Sequence, residues 1–146
     1  MRRASFVPLL LLAALVTAGC RATSPETPAG IRAERAPGPE MPSGVTVAML
    51  NEGDSLFNAG SCQRCHGQKG VGGTNGPPLV TGPWLQTDGS YEQIVQVITR
   101  GVPRDKLKDP ARRPMNARGG PMQLSDAQVR SVAGYVWSIS RAKPRG

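Results

Sequence analysis

The chemistry of this sequence is concentrated in five consecutive positions, Cys62-Gln63-Arg64-Cys65-His66. On a helical turn, residues three and four apart share a face, so Cys62, Cys65 and His66 project together while Gln63 and Arg64 act as spacers. Two thiols so placed can add to the two vinyl groups of a porphyrin, and the imidazole beside the second thiol reaches its iron. This spacing is the signature of covalent haem attachment. Two other chemistries use C-x-x-C. A dithiol redox centre sits in a βαβ surround, and no stretch here alternates with the period of a strand. A tetrahedral zinc site takes four ligands, yet His66 is the only histidine and the third cysteine, Cys20, lies far toward the N-terminus. The expectation is therefore one covalent haem per chain.

The N-terminal segment indicates where such chemistry would operate. Residues 1–19 read as an export signal, with Arg2 and Arg3 ahead of an apolar run over residues 7–16 and small residues Thr17, Ala18 and Gly19 before Cys20. The run is shorter than the roughly 20 apolar residues that span a bilayer, so it is read as cleaved. Paired arginines in a positive start are too common to assign a twin-arginine route. Thr17-Ala18-Gly19-Cys20 is similar to the lipobox of bacterial lipoproteins, in which the cysteine is acylated and becomes the first mature residue; Thr17 stands where leucine is usual. The alternative is ordinary cleavage nearby, leaving Cys20 as an exposed thiol, a liability in an oxidising compartment. With Cys20 lipidated and Cys62 and Cys65 on haem, none of the three cysteines is left over and no disulfide is implied.

The formal net charge is +8, and removal of Arg2 and Arg3 with the signal leaves +6. The surplus concentrates in Arg100, Arg104, Lys106, Lys108, Arg112, Arg113 and Arg118, offset by Asp105 and Asp109. Nucleic acid is disfavoured as a partner, because the protein is read as exported and the stretch lacks interleaved aromatics. Two readings stay open: a surface for an acidic partner protein, or a solvated loop.

The elements that must position the motif are helical. Residues 20–46 carry Pro25, Pro28, Pro37, Pro39 and Pro42 among small and charged residues, a composition that predicts a flexible tether. The globular part is then 47–142, with a tail at 143–146. A first helix is predicted over 47–58, stopping near Gly60. A second covers 91–99, with Ile94, Val95 and Ile98 on one stripe and Gly101 ending it. A last helix starts from the cap Ser125, with Val129, Val132, Ala133, Val136 and Ile139 at helical spacing. Glycine- and proline-rich loops fill 67–83 and 103–121. Five aromatics and a few short helices make a small core for about 95 residues, and a haem would fill the middle. The fold class expected is all-α: three to five short helices wrapped around one haem.

From residue 51 to residue 140 the chain resembles the small monohaem class I-type cytochrome c family. Gly53-Asp54-Ser55-Leu56-Phe57 is similar to the family's first helix, whose glycine and aromatic cross the last helix. Cys62 to Gly67 matches the attachment site, and Gly76-Pro77-Pro78-Leu79 the loop whose proline carbonyl accepts a hydrogen bond from the proximal histidine. Leu124-Ser125-Asp126-Ala127-Gln128-Val129, with Gly134-Tyr135-Val136, matches the closing helix.

The resemblance implies one haem c, with thioethers from Cys62 and Cys65 and iron held by His66 and a methionine. Met115-Asn116-Ala117-Arg118-Gly119-Gly120 resembles the family's Met-Pro-x-(Lys/Arg)-Gly-Gly and favours Met115; Met122, two residues before Leu124, is the runner-up. Pro77 or Pro78 would fix the histidine ring. Trp84 would either donate its indole N–H to a haem propionate or serve as a core aromatic. Phe57 and Tyr135 would pack where the helices cross.

The function implied is electron transfer rather than catalysis, by a lipid-tethered carrier in the periplasm or at the outer face of a membrane. Its partners would be redox proteins, and the chain would be monomeric or a subunit of a respiratory dehydrogenase or oxidase complex. If neither methionine binds, a five-coordinate haem with gas-binding or peroxidase-like activity is the alternative.

Overall fold

A computed structural model describes residues 40–81 and 83–142. The signal 1–19, Cys20, the tether as far as residue 39 and the tail 143–146 lie outside the described residues. Within them the chain is all-α: α1 (Val47–Ala59), α2 (Cys62–His66), α3 (Tyr91–Arg100) and α4 (Asp126–Arg141), with 3-10 turns at Gln68–Gly70, Arg104–Lys106 and Ala117–Met122. The two long loops are thus not featureless, since each contains at least one such turn. The nearest approach to β-structure among the described residues is an isolated antiparallel bridge between Val102 and Met115. No described helix is long and apolar enough to cross a membrane.

Local chemistry explains each boundary. Thr46 starts α1, its hydroxyl accepting the Met49 N–H at 3.2 Å. Ser125 starts α4 through a capping box: its hydroxyl accepts the Gln128 N–H (3.3 Å) while the Gln128 side chain accepts the Ser125 N–H (3.0 Å). Asp88 accepts the Ser90 N–H at 2.7 Å just ahead of α3. Gly101 ends α3 at φ 68, a left-handed conformation natural to glycine.

The core forms where α1 and α3 pack on α4. From α4 come Val129, Val132, Ala133, Tyr135, Val136 and Trp137, from α1 Phe57, and from α3 Tyr91, Ile94 and Ile98. Gly53 makes the α1–α4 crossing possible. A Cβ there would run into the Ser131 carbonyl oxygen and come within 2.8 Å of the Tyr135 Cβ. One turn on, Phe57 and Tyr135 stack with centroids 5.4 Å apart and planes tilted by 52°. The Ser131 hydroxyl donates to Glu52 (2.6 Å) and the Asn58 amide to the Tyr135 hydroxyl (3.2 Å), closing the polar flanks.

The packed body begins earlier than the tether boundary at 46 implied. Val45 is 6 % exposed and belongs to the core. Its Cγ1 would lie 3.3 Å from a Cβ on Gly134, so it fills the space that this glycine leaves.

The two crossing glycines should respond differently to substitution. Gly53→Ala forces backbone apart and is expected to cost ~1–3 kcal/mol, read as a lower denaturation midpoint. In Gly134→Ala the added methyl meets the flexible side-chain ends of Leu50 (3.2 Å) and Val45 (3.3 Å), and the helix gains propensity worth up to about 1 kcal/mol. That variant should stay within about 1 kcal/mol of the parent. Equal losses at both positions would contradict a crossing set by Gly53.

Candidate haem site

Helix α2 presents the motif, and both of its ends are tied down. Ahead of it, the Ser61 N–H donates to the Met122 sulfur (3.2 Å) and the Ser61 hydroxyl to the Gly119 carbonyl (2.7 Å). Behind it, the His66 carbonyl accepts the Gly72 N–H at 2.6 Å. The imidazole is fixed separately, with Nδ1 3.0 Å from the Pro77 carbonyl. A carbonyl only accepts, so Nδ1 carries the proton and Nε2 is the nitrogen left with a lone pair. Burial pushes the His66 pKa down and the Pro77 hydrogen bond opposes it. The net shift favours the neutral ring, the form that ligates a metal.

Cys62 and Cys65 are free, half-buried thiols. Burial raises the Cys62 pKa, with repulsion from Cys65 adding to the rise and a backbone hydrogen bond working against it. A dithiol nucleophile needs the opposite shift, toward thiolate. The described residues also contain no group of three or more His, Cys, Asp and Glu able to hold a metal ion. The raised Cys62 pKa thus runs against a redox-dithiol nucleophile.

A cavity partly open to solvent is lined by residues of both the loops and the helix layer. Cys62, Cys65 and His66 line one part of it, and Phe57, Leu79, Ile94, Ile98, Val132 and Val136 contribute apolar wall. The lining is predominantly apolar, which suits an apolar group with the thiols and imidazole at its edge. Two thiols, one neutral imidazole and apolar walls are the donor set and surroundings that a covalent haem requires.

The remaining predicted residues separate cleanly. Pro77, Pro78, Trp84 and Met115 all line this cavity. Of the two prolines, Pro77 supplies the carbonyl that takes the histidine proton. Trp84 also packs against the core, and a side chain on Gly89 would run into its indole. Met115 is held by its backbone, exchanging hydrogen bonds with Val102 (Val102 N–H to Met115 carbonyl 2.8 Å, the reverse 3.0 Å). Met122 is not among the cavity-lining residues; its sulfur is engaged at Ser61. Cys20 lies outside the described residues.

The basic stretch divides. Arg112 turns inward, its guanidinium donating to the carbonyls of Gly73 (2.6 Å) and Gly76 (3.2 Å) and pairing with Asp109 (3.1 Å). Arg118 donates to the Leu124 carbonyl (2.9 Å) and pairs with Asp126 (2.6 Å), bracing the start of α4. Arg100, Arg104, Lys106, Lys108 and Arg113 remain exposed. Ser61, Asp109 and Arg112 support the site, yet nothing in the sequence reading singled them out for that role. Their types are ordinary surface types, and only the chain path brings them to the motif.

Comparison with known proteins places this geometry. The model of the family described as "Cytochrome C oxidase, cbb3-type, subunit III" matches residues 48–136, from α1 into α4. No curated protein matches. Among solved structures, the chain is similar to cytochrome CL from the marine methylotrophic bacterium Methylophaga aminisulfidivorans, at 22% identity and TM-score 0.48, covering 62% of this chain and 55% of that one. It is also similar to the c-type cytochrome XoxG from Methylobacterium extorquens, at 21% identity and TM-score 0.45, covering 66% and 56%. The chain thus spans just over half the length of these proteins. The family match takes in the attachment motif, the Pro77 loop and Met115 together, and with them a covalently bound c-type haem that transfers electrons. This chain belongs to the family of small cytochrome c domains described as cytochrome c oxidase, cbb3-type, subunit III.

Proposed function

We propose that the protein is an exported electron carrier whose single haem is ligated by His66 and Met115 and which is tethered to the outer face of a membrane through a lipid on Cys20. The observation that carries the ligand set is that Met115 lines the same cavity as Cys62, Cys65 and His66, whereas the Met122 sulfur is occupied by the Ser61 N–H. A haem held there by His66 and Met115 would supply a one-electron iron couple, at a potential that a thioether ligand raises. The chain's own residues do the rest. Cys62 and Cys65 fix the porphyrin, Pro77 keeps the histidine proton on Nδ1, and the apolar wall excludes water.

Export and tethering rest on the signal-like residues 1–19, the lipobox-like Thr17-Ala18-Gly19-Cys20 and the proline-rich stretch that follows. A partner with an acidic surface is supported by the exposed set Arg100, Arg104, Lys106, Lys108 and Arg113, against which only Asp105 pairs, with Lys106 at 3.8 Å. A second reading, a subunit of a terminal oxidase complex, is supported by the family's description. Pull-down from native membranes separates the two, since a subunit comes down with its complex and a free carrier alone.

Three outcomes are expected. Met115→Ala should abolish the weak long-wavelength band that sulfur ligation gives ferric haem, lower the reduction potential and let carbon monoxide bind the ferrous protein, while Met122→Leu keeps the band. The reverse pattern would refute Met115 as ligand. Mass analysis of protein from membranes should find one haem and an acylated Cys20 as first residue; Cys20→Ser should release the protein in soluble form. An unacylated membrane form would remove the anchor. Raising ionic strength from about 0.01 to about 0.15 M shortens the screening length from ~30 to ~8 Å. Electron transfer to an acidic partner protein should then slow at least about tenfold, and a flat response would eliminate electrostatic docking.

A further inference from the structure

We propose that Arg112 is a positioning residue, a latch that holds the loop leading into Met115 against the loop that receives His66 and so keeps the distal ligand seated. The inference rests on Met115 being the second ligand. Among the described residues, the Arg112 guanidinium is the only side chain that hydrogen-bonds from one of these loops to the other. Its Nη1 donates to the carbonyls of Gly73 (2.6 Å) and Gly76 (3.2 Å), and Gly76 directly precedes Pro77, the acceptor for His66. One residue on, the Arg113 N–H donates to the Asn75 carbonyl at 3.1 Å, so two successive residues stitch the same seam.

The arginine is pre-set for this task. Asp109 takes its Nε at 3.1 Å through one carboxylate oxygen and the Ala111 N–H at 3.0 Å through the other, and the Asp109 carbonyl accepts the Arg112 N–H at 3.1 Å. The Arg112 side chain is 30% exposed, and the residue lines the haem cavity. It is therefore more than a solvated surface pair, a class of interaction that contributes little. Charge-assisted bonds to carbonyls of a glycine-rich loop are the stronger kind. A lysine could keep the charge but not the fork of donors.

From Arg112 the chain needs two residues, Arg113 and Pro114, to reach Met115, whose backbone is fixed by Val102. A segment tied at both ends has little freedom to swing its sulfur out. Untie the Arg112 end and the open state becomes more populated. An exogenous ligand that enters only the open state then binds more tightly by the same factor.

The test is an imidazole titration of the ferric holoprotein, following the sulfur-ligation band, with reduction potentials measured in parallel. Loss of the fork in Arg112→Gln is expected to lower the half-displacing imidazole concentration on the order of tenfold, comparable to one charge-assisted hydrogen bond, and to lower the potential. Arg112→Lys should also titrate earlier while keeping more of the potential, and Asp109→Asn should lie between Arg112→Gln and the parent. Arg130→Gln, the same charge change on the exposed face of α4, should titrate as the parent. If Arg112→Gln and Arg130→Gln titrate alike, the latch is refuted. If Arg112→Gln does not accumulate as holoprotein, Arg112→Lys and Asp109→Asn decide in its place, and parent-like titration by both refutes the latch. A parent protein without the sulfur band instead refutes Met115 as ligand, a separate failure.

Discussion

The helix that carries the haem motif is five residues long, and that constraint shapes everything around it. Helices much shorter than about 12–15 residues are marginal by themselves, so α2 cannot hold two sulfurs and an imidazole in register without outside help. The surrounding chain supplies it. Ser61 is tied through its amide and its hydroxyl to the turn at Ala117–Met122, the His66 carbonyl is tied to Gly72, and the imidazole to Pro77. Both long loops, each of which lines the cavity, thus act as braces for a helix too short to brace itself. Their length, which would otherwise count against a compact domain, follows from the task of reaching around a large cofactor.

The brace would drift without the rigid layer behind it, and that layer depends on close backbone contact. Gly53 lets α1 lie against the Ser131 carbonyl of α4, and the Phe57–Tyr135 stack locks the angle one turn away. Because Phe57 also lines the cavity, the crossing and the haem wall share a side chain. A change that separates the helices moves the wall. Core packing and cofactor binding are therefore not independent properties of this domain.

How much of this was legible in the sequence depends on whether the signal is local. Helix periodicity, the Ser125 cap, Gly101 as a terminator and the C-x-x-C-H spacing are all local, and α1, α3 and α4 fall within a residue or two of their expected bounds. The glycine–aromatic pair in α1 was readable too, through the family resemblance. Partners distant in sequence were not. Met122 reads as the runner-up ligand, and nothing in the sequence tells that its sulfur meets Ser61, sixty-one positions away. Arg112 and Arg118 look the same in sequence as Arg104 and Arg113, yet the first two turn in to carbonyls and carboxylates while the others face water. A charge count cannot distinguish a docking residue from a structural one. Val45, buried but set in a proline-rich run, was hidden for the same reason.

Asn116 illustrates how structure can substitute for a missing sequence cue. Proline at that place in the resembling family would fix the backbone following the methionine. Asn116 has φ −69 and ψ 140, within the range a proline ring imposes. Here the conformation is set from outside the residue. Met115 is pinned to Val102 by two hydrogen bonds, and Gly101 packs so closely that a Cβ there would run into the Met115 carbonyl oxygen and lie 2.6 Å from the Ala117 amide nitrogen. The end of α3 thereby does for the Met115 loop what a ring would have done locally. It also ties the position of Met115 to the helix layer rather than to the loop's own stiffness. At Met115 as at His66, a residue that lines the cavity is held by backbone groups outside its own turn of chain.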